Sequence, residues 1–323
     1  MELEKAVRQV EHIGKVETKE SIHVAFGVDK KFVFPMGLAM TSILVHNQGV
    51  VFHVFLDAIS DEDLKRIEVT MRKYHAQCNL YYLDTEQFAS LRTTASWSVA
   101  TYFRIVAAAC LPDDQHKVLY LDADTFCRKS IKDFYDTPLD DYYVGAVEDS
   151  FGSPQKYAQK RTKLDMGEEK YFNAGVLLIN LDRWRENSIP EQAMDLLTRE
   201  PEKWEALDQD VLNYLCKGKV KWFSCWYDLL NATADCLREA PGKAVIVHFT
   251  GPKPWTQWYL TETNPVIDKE YDASHALSAW ADQKYWQPVT RTHYRLMSKR
   301  CAREHRFLAM LYWQAKYLRS KCR

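Results

Sequence analysis

The sequence predicts an α/β protein in which a mainly parallel β-sheet is flanked by helices and followed by a helical, basic C-terminal extension. Three observations lead to this fold class. Apolar strand-like runs alternate with helix-like segments in the first half of the chain, polar residues follow several of these runs, and the pattern changes beyond about residue 265. Strands that alternate with helices form parallel sheets joined by right-handed crossovers. Ligands bind such sheets beyond the carboxyl ends of the strands, so the polar residues there are the candidates for a site.

The elements near the N-terminus follow from short apolar runs and helix start signals. Pro35 lies in the first turn of one predicted helix, and Ser60 opens another, where Asp63 is placed for a capping box. Buried strands are typically short and apolar. The predicted strands are Ile22–Val28, Val50–Leu56 and residues 78–83, and the predicted helices cover residues 34–46 and the segment after Ser60.

The same patterns assign the rest of the chain. A helix over residues 97–110 is stopped by Leu111-Pro112, because the residue before a proline disfavours helical geometry. A basic helix is predicted to continue to the end of the chain. The remaining predicted strands are Lys117–Leu121 and residues 143–147, 176–181 and 245–249, and the remaining helices cover residues 190–199 and 208–216.

Charge is unevenly distributed along the 323 residues. The net charge is −1, but residues 291–323 contain ten Lys or Arg and one acidic residue, which gives +9 there and −10 elsewhere. This tail also carries apolar residues at helical spacing, and a basic amphipathic helix suits an anionic membrane surface. A helix docked on its own domain or on a partner chain is the alternative. The acidic body makes a nucleic-acid partner the less favoured interpretation.

The cysteine content and the N-terminus indicate a cytoplasmic protein, peripheral to the membrane if the tail binds it. No pair has CxxC or zinc-site spacing, and most cysteines lie among apolar residues, as expected in a reducing compartment. The first twenty residues are charged and do not resemble a signal peptide, and no apolar run approaches the length of a membrane span. The eight cysteines are Cys78, Cys110, Cys127, Cys216, Cys225, Cys236, Cys301 and Cys322.

Two segments after strands contain candidate metal ligands. Asp122-Ala123-Asp124 directly follows Lys117–Leu121, and two carboxylates there can converge on one Mg²⁺ or Mn²⁺ if the chain turns. His248 follows another apolar run, where an imidazole on the same ion would favour Mn²⁺. Gly251 would let the backbone approach a ligand, and Lys253 would meet a phosphate as a point charge. The structural alternatives are a solvated turn capped by the two aspartates, a histidine satisfied in its loop and a surface lysine.

Three further polar positions are ambiguous from spacing alone. Asp208 opens a helix as a natural N-cap, which is its favoured role without other information. Asn173 precedes a strand and fits a turn cap. Arg104 lies in a predicted helix, either on a solvated face or reaching toward a diphosphate.

Taken together, six segments in order resemble the family 8 retaining glycosyltransferases of GT-A fold, over about residues 21 to 258. The subgroup that modifies the lipopolysaccharide core of Gram-negative bacteria is the most similar, on account of Trp97-Ser98 and the basic aromatic tail. The chain departs from the family in having one residue fewer between Gly251 and Lys253. The six segments are Ala25 to Asp29, Tyr102 to Arg104, Leu119 to Asp124, Tyr171 to Val176, Asp208 to Asn213 and His248 to Gly251.

The resemblance implies a role for each candidate residue. Mn²⁺, or Mg²⁺, would be bound by Asp122, Asp124 and His248. The UDP-sugar donor would contact Gly27, Asp29, Arg104, Asp122, Ala174, Gly251 and Lys253. The transferred sugar would be held at the catalytic centre by Asn173, Asp208 and Gln209, and Asp149 would face the acceptor. Residues 1–20 would form an N-terminal extension, residues 21–265 the GT-A domain and residues 266–323 the C-terminal extension.

The implied reaction moves glucose or galactose from UDP-glucose or UDP-galactose to a glycan, with lipopolysaccharide core as the expected acceptor. Family resemblance implies front-face attack with retention, in which Gln209 is positional, and double displacement through Asp208 is the rival. Two other functions stay open. One is a self-glycosylating primer enzyme of the same superfamily, and the other is a sugar-nucleotide-binding protein without turnover.

Overall fold

The computed structural model describes residues 3–16, 20–94, 97–149, 153–230, 242–256, 258 and 264–321. Cys236 and Cys322 lie outside these residues. The six cysteines within them are all free thiols. The predicted α/β class is confirmed: a mixed eight-stranded sheet lies between layers of helices, and a three-stranded sheet lies beside it.

The main sheet has the strand order β1-β4-β3-β2-β5-β8-β7-β9. β2, β3, β4 and β5 are mutually parallel, which confirms the pattern read from the alternating segments. β1 pairs antiparallel with β4 and extends the sheet with residues assigned from sequence to the N-terminal extension. The strands are β1 Val7–Gly14, β2 Ile22–Val28, β3 Val50–Leu56, β4 Gln77–Leu83, β5 Lys117–Leu121, β7 Val144–Glu148, β8 Phe172–Asn180 and β9 Val220–Trp222.

Helices cover both faces of this sheet and bury two apolar clusters. Strand residues that alternate along β2 go to opposite sides, so Phe26 joins one cluster and Ala25 the other. The helices are α1 Val33–His46, α2 Asp61–Tyr74, α3 Phe103–Cys110, α4 Lys132–Asp136, α5 Pro154–Lys163, α6 Leu181–Glu186, α7 Ile189–Arg199, α8 Asp208–Leu215, α9 Pro265–Leu277, α10 Arg291–Arg303 and α11 Phe307–Arg319.

The structure corrects three predicted elements. β8 begins at Phe172 and runs antiparallel to both β5 and β7, because an apolar run specifies burial but not strand direction. The helix predicted over residues 97–110 is a 3₁₀ turn, Val99–Tyr102, followed by α3. The basic tail is two helices, α10 and α11, separated by a turn in which His305 has a φ of 56°.

The three-stranded sheet brings distant segments to the end of β5. Its strands are β6 Thr125–Cys127, β10 Leu229–Leu230 and β11 Ile246–His248, in the order β10-β11-β6. β11 is antiparallel to β6, with His248 opposite Thr125. Since Thr125 follows Asp124 directly, this register places the histidine beside the aspartates that end β5.

The C-terminal segment docks on the domain through aromatic side chains. The ring of Trp280 lies against Gly37 in α1, where a Cβ atom would overlap it, and the Trp280 indole donates to Asp63 at 2.8 Å. Further on, Trp258 stacks on His293 and packs with Met297 of α10. The helices within the described ranges are too short or too polar to cross a bilayer.

His23 on β2, His53 on β3 and Tyr81 on β4 form a hydrogen-bonded chain, and protonation of the buried His53 opposes folding. Within it, His53 on β3 lies 3.0 Å from His23 and 3.1 Å from the Tyr81 hydroxyl. Burial, together with the nearby His23, lowers the pKa of His53 to about 3. The unfolded chain therefore takes up a proton near pH 6.5 that the folded chain does not, so stability falls as pH drops below that value.

We expect His53→Gln to remove about 1.4 kcal/mol of the loss in unfolding free energy between about pH 7.5 and pH 5.5. Glutamine retains a hydrogen-bonding group but does not titrate. Urea unfolding at the two pH values measures this difference for the wild type and the variant. An identical pH dependence in both proteins would show that the pKa of His53 is the same in the folded and unfolded chains, and would contradict the burial argument.

Candidate active site

Asp122, Asp124 and His248 form one cluster at the end of β5. Their nearest ligand atoms all lie within 4.8 Å of one another. The His248 Nε2 atom is 3.2 Å from Asp124 Oδ1 and 3.9 Å from Asp122 Oδ2. The turn that presents the aspartates is closed by Thr125, whose N–H and hydroxyl both donate to the Asp122 carbonyl. The two aspartates thus act together rather than merely capping a turn.

Gly175 makes room for this cluster. A Cβ atom there would overlap the His248 ring and would lie 2.7 Å from Asp122 Oδ2. The Gly175 carbonyl also accepts from the Asp122 N–H at 2.7 Å. The residue at position 175 must therefore be a glycine, because any side chain there would displace the Asp122 carboxylate or the His248 imidazole.

His248 is oriented by a second carboxylate. Its Nδ1 atom lies 3.1 Å from Asp228 Oδ1, so its Nε2 atom faces Asp122 and Asp124. Both His248 and Asp228 are buried. Burial by itself lowers the pKa of His248, but Asp228 and Asp124 outweigh burial and raise it to about 10. Burial also raises the pKa of Asp228, an effect that His248 partly offsets.

Lys253 supplies positive charge to the same cluster. Its ammonium contacts Asp124 and donates to the Phe249 carbonyl at 2.5 Å. Burial by itself would raise the pKa of Asp124, but Lys253 and His248 outweigh it and hold this pKa well below its usual range. Asp124 is therefore ionised at neutral pH. The shortened loop after Gly251 still brings Lys253 to the site, so the simple surface role is excluded.

Arg104 is buried and joins two carboxylates. Its Nη2 atom lies 3.1 Å from Asp122 Oδ1, and its Nε atom lies 2.7 Å from Asp208 Oδ2. The Nε–H bond is directed at the Thr101 carbonyl, 3.2 Å away, so the contact with Asp208 is an ion pair rather than an aligned hydrogen bond. Nη1 donates to the Ala174 carbonyl. A solvated position for Arg104 is thus wrong, and the contact of Arg104 with the UDP-sugar donor stays a prediction.

Asp208 does not cap its helix, contrary to the structural role favoured from sequence. Leu207 is the N-cap, with φ 51° and ψ −123°, and this backbone turns the Asp208 side chain inward. There it accepts from the Thr101 hydroxyl at 2.7 Å. Burial raises the pKa of Asp208 to about 6, although Arg104 and the Thr101 hydroxyl oppose the shift.

Gln209 is held at both ends of its amide. Its Oε1 atom accepts from the Ala174 N–H at 2.9 Å, and its Nε2 atom lies 3.1 Å from both Asp149 Oδ2 and the Tyr171 hydroxyl. Asn173 donates to the same Asp149 oxygen at 3.3 Å and accepts from the Gly175 N–H at 2.8 Å. The structure therefore brings together the residues predicted for the sugar and for the acceptor.

Two predicted donor residues have clear structural functions at the end of β2. A Cβ atom on Gly27 would lie 2.7 Å from the Phe103 Cβ, so glycine permits α3 to approach the strand. Asp29 accepts from the Lys31 and Phe32 N–H groups and from the Ser98 hydroxyl at 3.0 Å. These contacts leave a role at the uracil end of a donor as a prediction. Gly251 is half-buried beside Lys253.

Sequence reasoning missed the partners that hold the predicted residues. Asp228 is one, and its position inside the run Trp226 to Leu230 is a usable signal, because a carboxylate among apolar residues is rarely buried without a partner. Thr101 and Tyr120 are others: the Tyr120 hydroxyl lies 3.2 Å from Asp122 Oδ1. No local pattern marks these two residues, since their contacts arise only from tertiary packing.

The cluster fits one divalent cation. Two carboxylates and one imidazole form a donor set that suits Mn²⁺ better than Mg²⁺. One ligand atom from each of the three side chains lies within 4.8 Å of the other two, close enough for a single ion to contact all three. The ligand set is also anchored by an outer carboxylate, Asp228, as is usual for a metal-binding histidine.

The sheet order, the carboxylate pair at the end of β5 and the flanking polar groups define a glycosyltransferase of GT-A fold. The chain belongs to glycosyltransferase family 8, whose model matches residues 23–259. It is 30% identical over 318 residues to a lipopolysaccharide 1,3-galactosyltransferase of Salmonella typhimurium, covering 94% of this chain and 92% of that protein. It is also 30% identical over 313 residues to lipopolysaccharide glucosyltransferase WaaO of Escherichia coli, covering 93% and 91%.

Solved structures agree with this assignment. The galactosyltransferase LgtC, in complex with donor and acceptor sugar analogs, superposes with a TM-score of 0.69 at 26% identity. The match covers 80% of this chain and 96% of the LgtC chain. The GT-A fold predicted from the resemblance is therefore confirmed.

Proposed function

We propose that the protein is a metal-dependent retaining hexosyltransferase that moves glucose or galactose from a UDP-sugar to lipopolysaccharide core or a similar glycan. The observation that carries the proposal is the cluster of Asp122, Asp124 and His248 beside the Asp208-Gln209 pair. The relatives support the two candidate sugars, because one is named a galactosyltransferase and the other a glucosyltransferase.

Asp122, Asp124 and His248 would hold Mn²⁺, with Mg²⁺ as a possible substitute. The ion would supply positive charge for the leaving diphosphate, as a Lewis acid. Lys253 contacts Asp124 and so adds its own positive charge on the same side. Arg104 keeps Asp122 in place from behind.

The sugar-facing residues favour front-face transfer over double displacement. Gln209 is fixed at both ends of its amide, and an amide is a poor nucleophile, so its role is to position the sugar. Asp208 is 2% exposed and lies behind Arg104 and Thr101, where an anomeric carbon would not reach it without rearrangement. In front-face transfer a leaving phosphate oxygen takes the acceptor proton, which needs no base from the protein.

The deciding experiment is Mn²⁺-dependent UDP release from a panel of UDP-sugars, first alone and then with truncated lipopolysaccharide. Release from one UDP-sugar that rises with acceptor establishes the enzyme and identifies the donor. Mass spectrometry of the protein after incubation tests the self-glycosylating alternative, which predicts added hexose on the chain. Donor binding without release, with any acceptor, would contradict the transferase and favour the binding-protein alternative.

The two C-terminal helices are proposed to attach the enzyme to an anionic membrane from the cytoplasmic side. α10 docks through Met297 and Cys301, whereas α11 packs mainly on α10 and leaves a wide apolar face open. Basic residues of both helices flank this face, as expected of an interfacial helix. The exposed apolar residues are Phe307, Leu308, Leu311, Tyr312 and Leu318.

We expect Leu308→Glu combined with Leu311→Glu to weaken binding to vesicles containing anionic lipid by about a hundredfold or more, because each buried leucine contributes about 1.5–3 kcal/mol and each 1.4 kcal/mol is about a factor of ten. These leucines are 86% and 57% exposed, so the protein itself should remain folded. Vesicle co-sedimentation measures the effect. Val69→Glu, at a half-exposed position on α2, is the matched control and should bind as the wild type does. Equal binding by the double variant would favour a protein partner for α11.

A further inference from the structure

We propose that Asp228 is a positioning residue that directs the imidazole of His248 toward the metal and makes the site selective for Mn²⁺ over Mg²⁺. This inference rests on the proposed metal-dependent function. It assigns a role to a residue that does not touch the donor, the acceptor or the ion.

The fold places Asp228 against the far side of the histidine ring. Asp228 follows a 3₁₀ turn, Cys225–Tyr227, and leads into β10, which runs parallel to β11 with Leu230 opposite His248. This pairing fixes the distance between the two backbones. As a result Asp228 Oδ1 reaches His248 Nδ1 at 3.1 Å, while Nε2 stays on the side of Asp122 and Asp124.

This contact sets which ring nitrogen is available. A carboxylate accepts hydrogen bonds, so the Nδ1–H group of His248 donates to Asp228. The lone pair of the ligating imidazole is then at Nε2. The negative charge of Asp228 also makes that nitrogen a stronger donor to a metal. Mn²⁺ gains more from an imidazole ligand than Mg²⁺ does, because Mg²⁺ prefers oxygen ligands.

The buried charge of Asp228 does not stabilise the fold by itself. Asp228 is 1% exposed, and among the described residues its Oδ2 atom receives no hydrogen bond. A buried carboxylate with an unsatisfied oxygen is costly, and a well-packed neutral residue is often more stable in such a place. Within the described part of the chain, the Asp228 carboxylate compensates this cost through its contact with His248, a candidate metal ligand, which favours a functional reason for the charge.

The test compares Mn²⁺ binding by wild type, Asp228→Asn and His248→Ala, without donor or acceptor. Free Mn²⁺ is measured by electron paramagnetic resonance, and electron spin echo modulation reports whether an imidazole nitrogen binds the ion. We expect Asp228→Asn to weaken Mn²⁺ binding by about 10- to 100-fold. Mg²⁺ binding, measured by competition, should change less, and the nitrogen modulation should weaken toward that of His248→Ala.

Asp210→Asn is the matched control. Asp210 is also buried and lies near the sugar side of the site, but it pairs with Lys160 and Tyr171 rather than with His248. Its substitution should leave the Mn²⁺ affinity and the nitrogen modulation unchanged. Circular dichroism confirms folding, and Asp228→Ser serves as a second variant if Asp228→Asn does not fold.

The outcomes separate this inference from the function on which it rests. Unchanged Mn²⁺ affinity, selectivity and nitrogen modulation in a folded Asp228 variant would overturn the role of Asp228 and leave the transferase proposal intact. An equal loss of Mn²⁺ and Mg²⁺ affinity in Asp210→Asn would show a general structural effect and would also overturn it. Failure of the wild type to bind Mn²⁺ would overturn the metal site together with this inference.

Discussion

Asp124→Asn should lower kcat/KM by about three orders of magnitude, because a metal supplies several kcal/mol of charge stabilisation and each 1.4 kcal/mol is a factor of ten. Asp124 is the residue of the cluster that contacts both the His248 imidazole and the Lys253 ammonium. The lowered pKa of Asp124, held down by Lys253 and His248 against the effect of burial, keeps it ionised for metal binding. Asparagine has the same shape but lacks the charge.

Two measurements check this expectation: UDP release over a range of donor concentrations, which gives kcat/KM, and Mn²⁺ binding in the absence of donor. Asp124→Asn should lose both UDP release and Mn²⁺ binding. Asp133→Asn, at an exposed carboxylate on α4, is the matched control and should behave as the wild type. Loss of activity with undiminished Mn²⁺ binding would remove Asp124 from the ligand set and point to its contact with Lys253 instead.

The sequence predicts most of the fold, since short apolar runs and capping signals are local properties. Lys117–Leu121 and Val50–Leu56 are found with the predicted bounds, and Ser60 is the N-cap of α2, where it accepts from the Asp63 N–H. The direction of β8 was not predictable in this way, because both parallel and antiparallel neighbours bury the same apolar residues. The tail predicted as one basic helix is divided near Glu304 into α10 and α11, because helical spacing of apolar residues does not reveal a single turn between two helices.

The candidate site also has a part that the sequence predicts and a part that it does not. Residue types at strand ends and their resemblance to a family predict which side chains gather, and the cluster of Asp122, Asp124 and His248 follows. The contacts that orient these side chains are non-local. Arg104 illustrates this, because nothing in its neighbours along the chain distinguishes a surface arginine from one enclosed between Asp122 and Asp208.

Arg104 is also a position at which a single substitution should cost much stability, since its guanidinium is buried between two carboxylates. Removing one partner from a buried ion pair costs about 3–5 kcal/mol, because the remaining charge is left buried and uncompensated. Arg104→Met keeps the approximate length of the side chain but leaves Asp208 and Asp122 without the Arg104 cation and the Ala174 carbonyl without the Arg104 N–H. We therefore expect the unfolding free energy to fall by about that amount and activity to be lost with it.

The pH dependence of stability identifies the carboxylate responsible. In the wild type the pKa of Asp208 is about 6 in the folded chain, above the usual value of 3.8. The folded chain thus holds a proton that the unfolded chain releases, so this group lowers stability as pH rises between those values. Without Arg104 the folded pKa should rise further. The variant should then continue to lose stability above pH 6, where the contribution of Asp208 in the wild type is constant.

Urea unfolding of metal-free protein across this pH range tests whether Asp208 causes the loss of stability. A double variant gives the most direct test. Arg104→Met combined with Asp208→Asn should recover part of the lost stability and flatten the pH dependence, since the uncompensated charge is gone. Arg128→Met removes another largely buried arginine, whose partner Glu270 is more exposed, and should cost less. If the double variant is no more stable than Arg104→Met, the loss comes from the lost contact of the Arg104 guanidinium with the Tyr120 ring rather than from an uncompensated carboxylate.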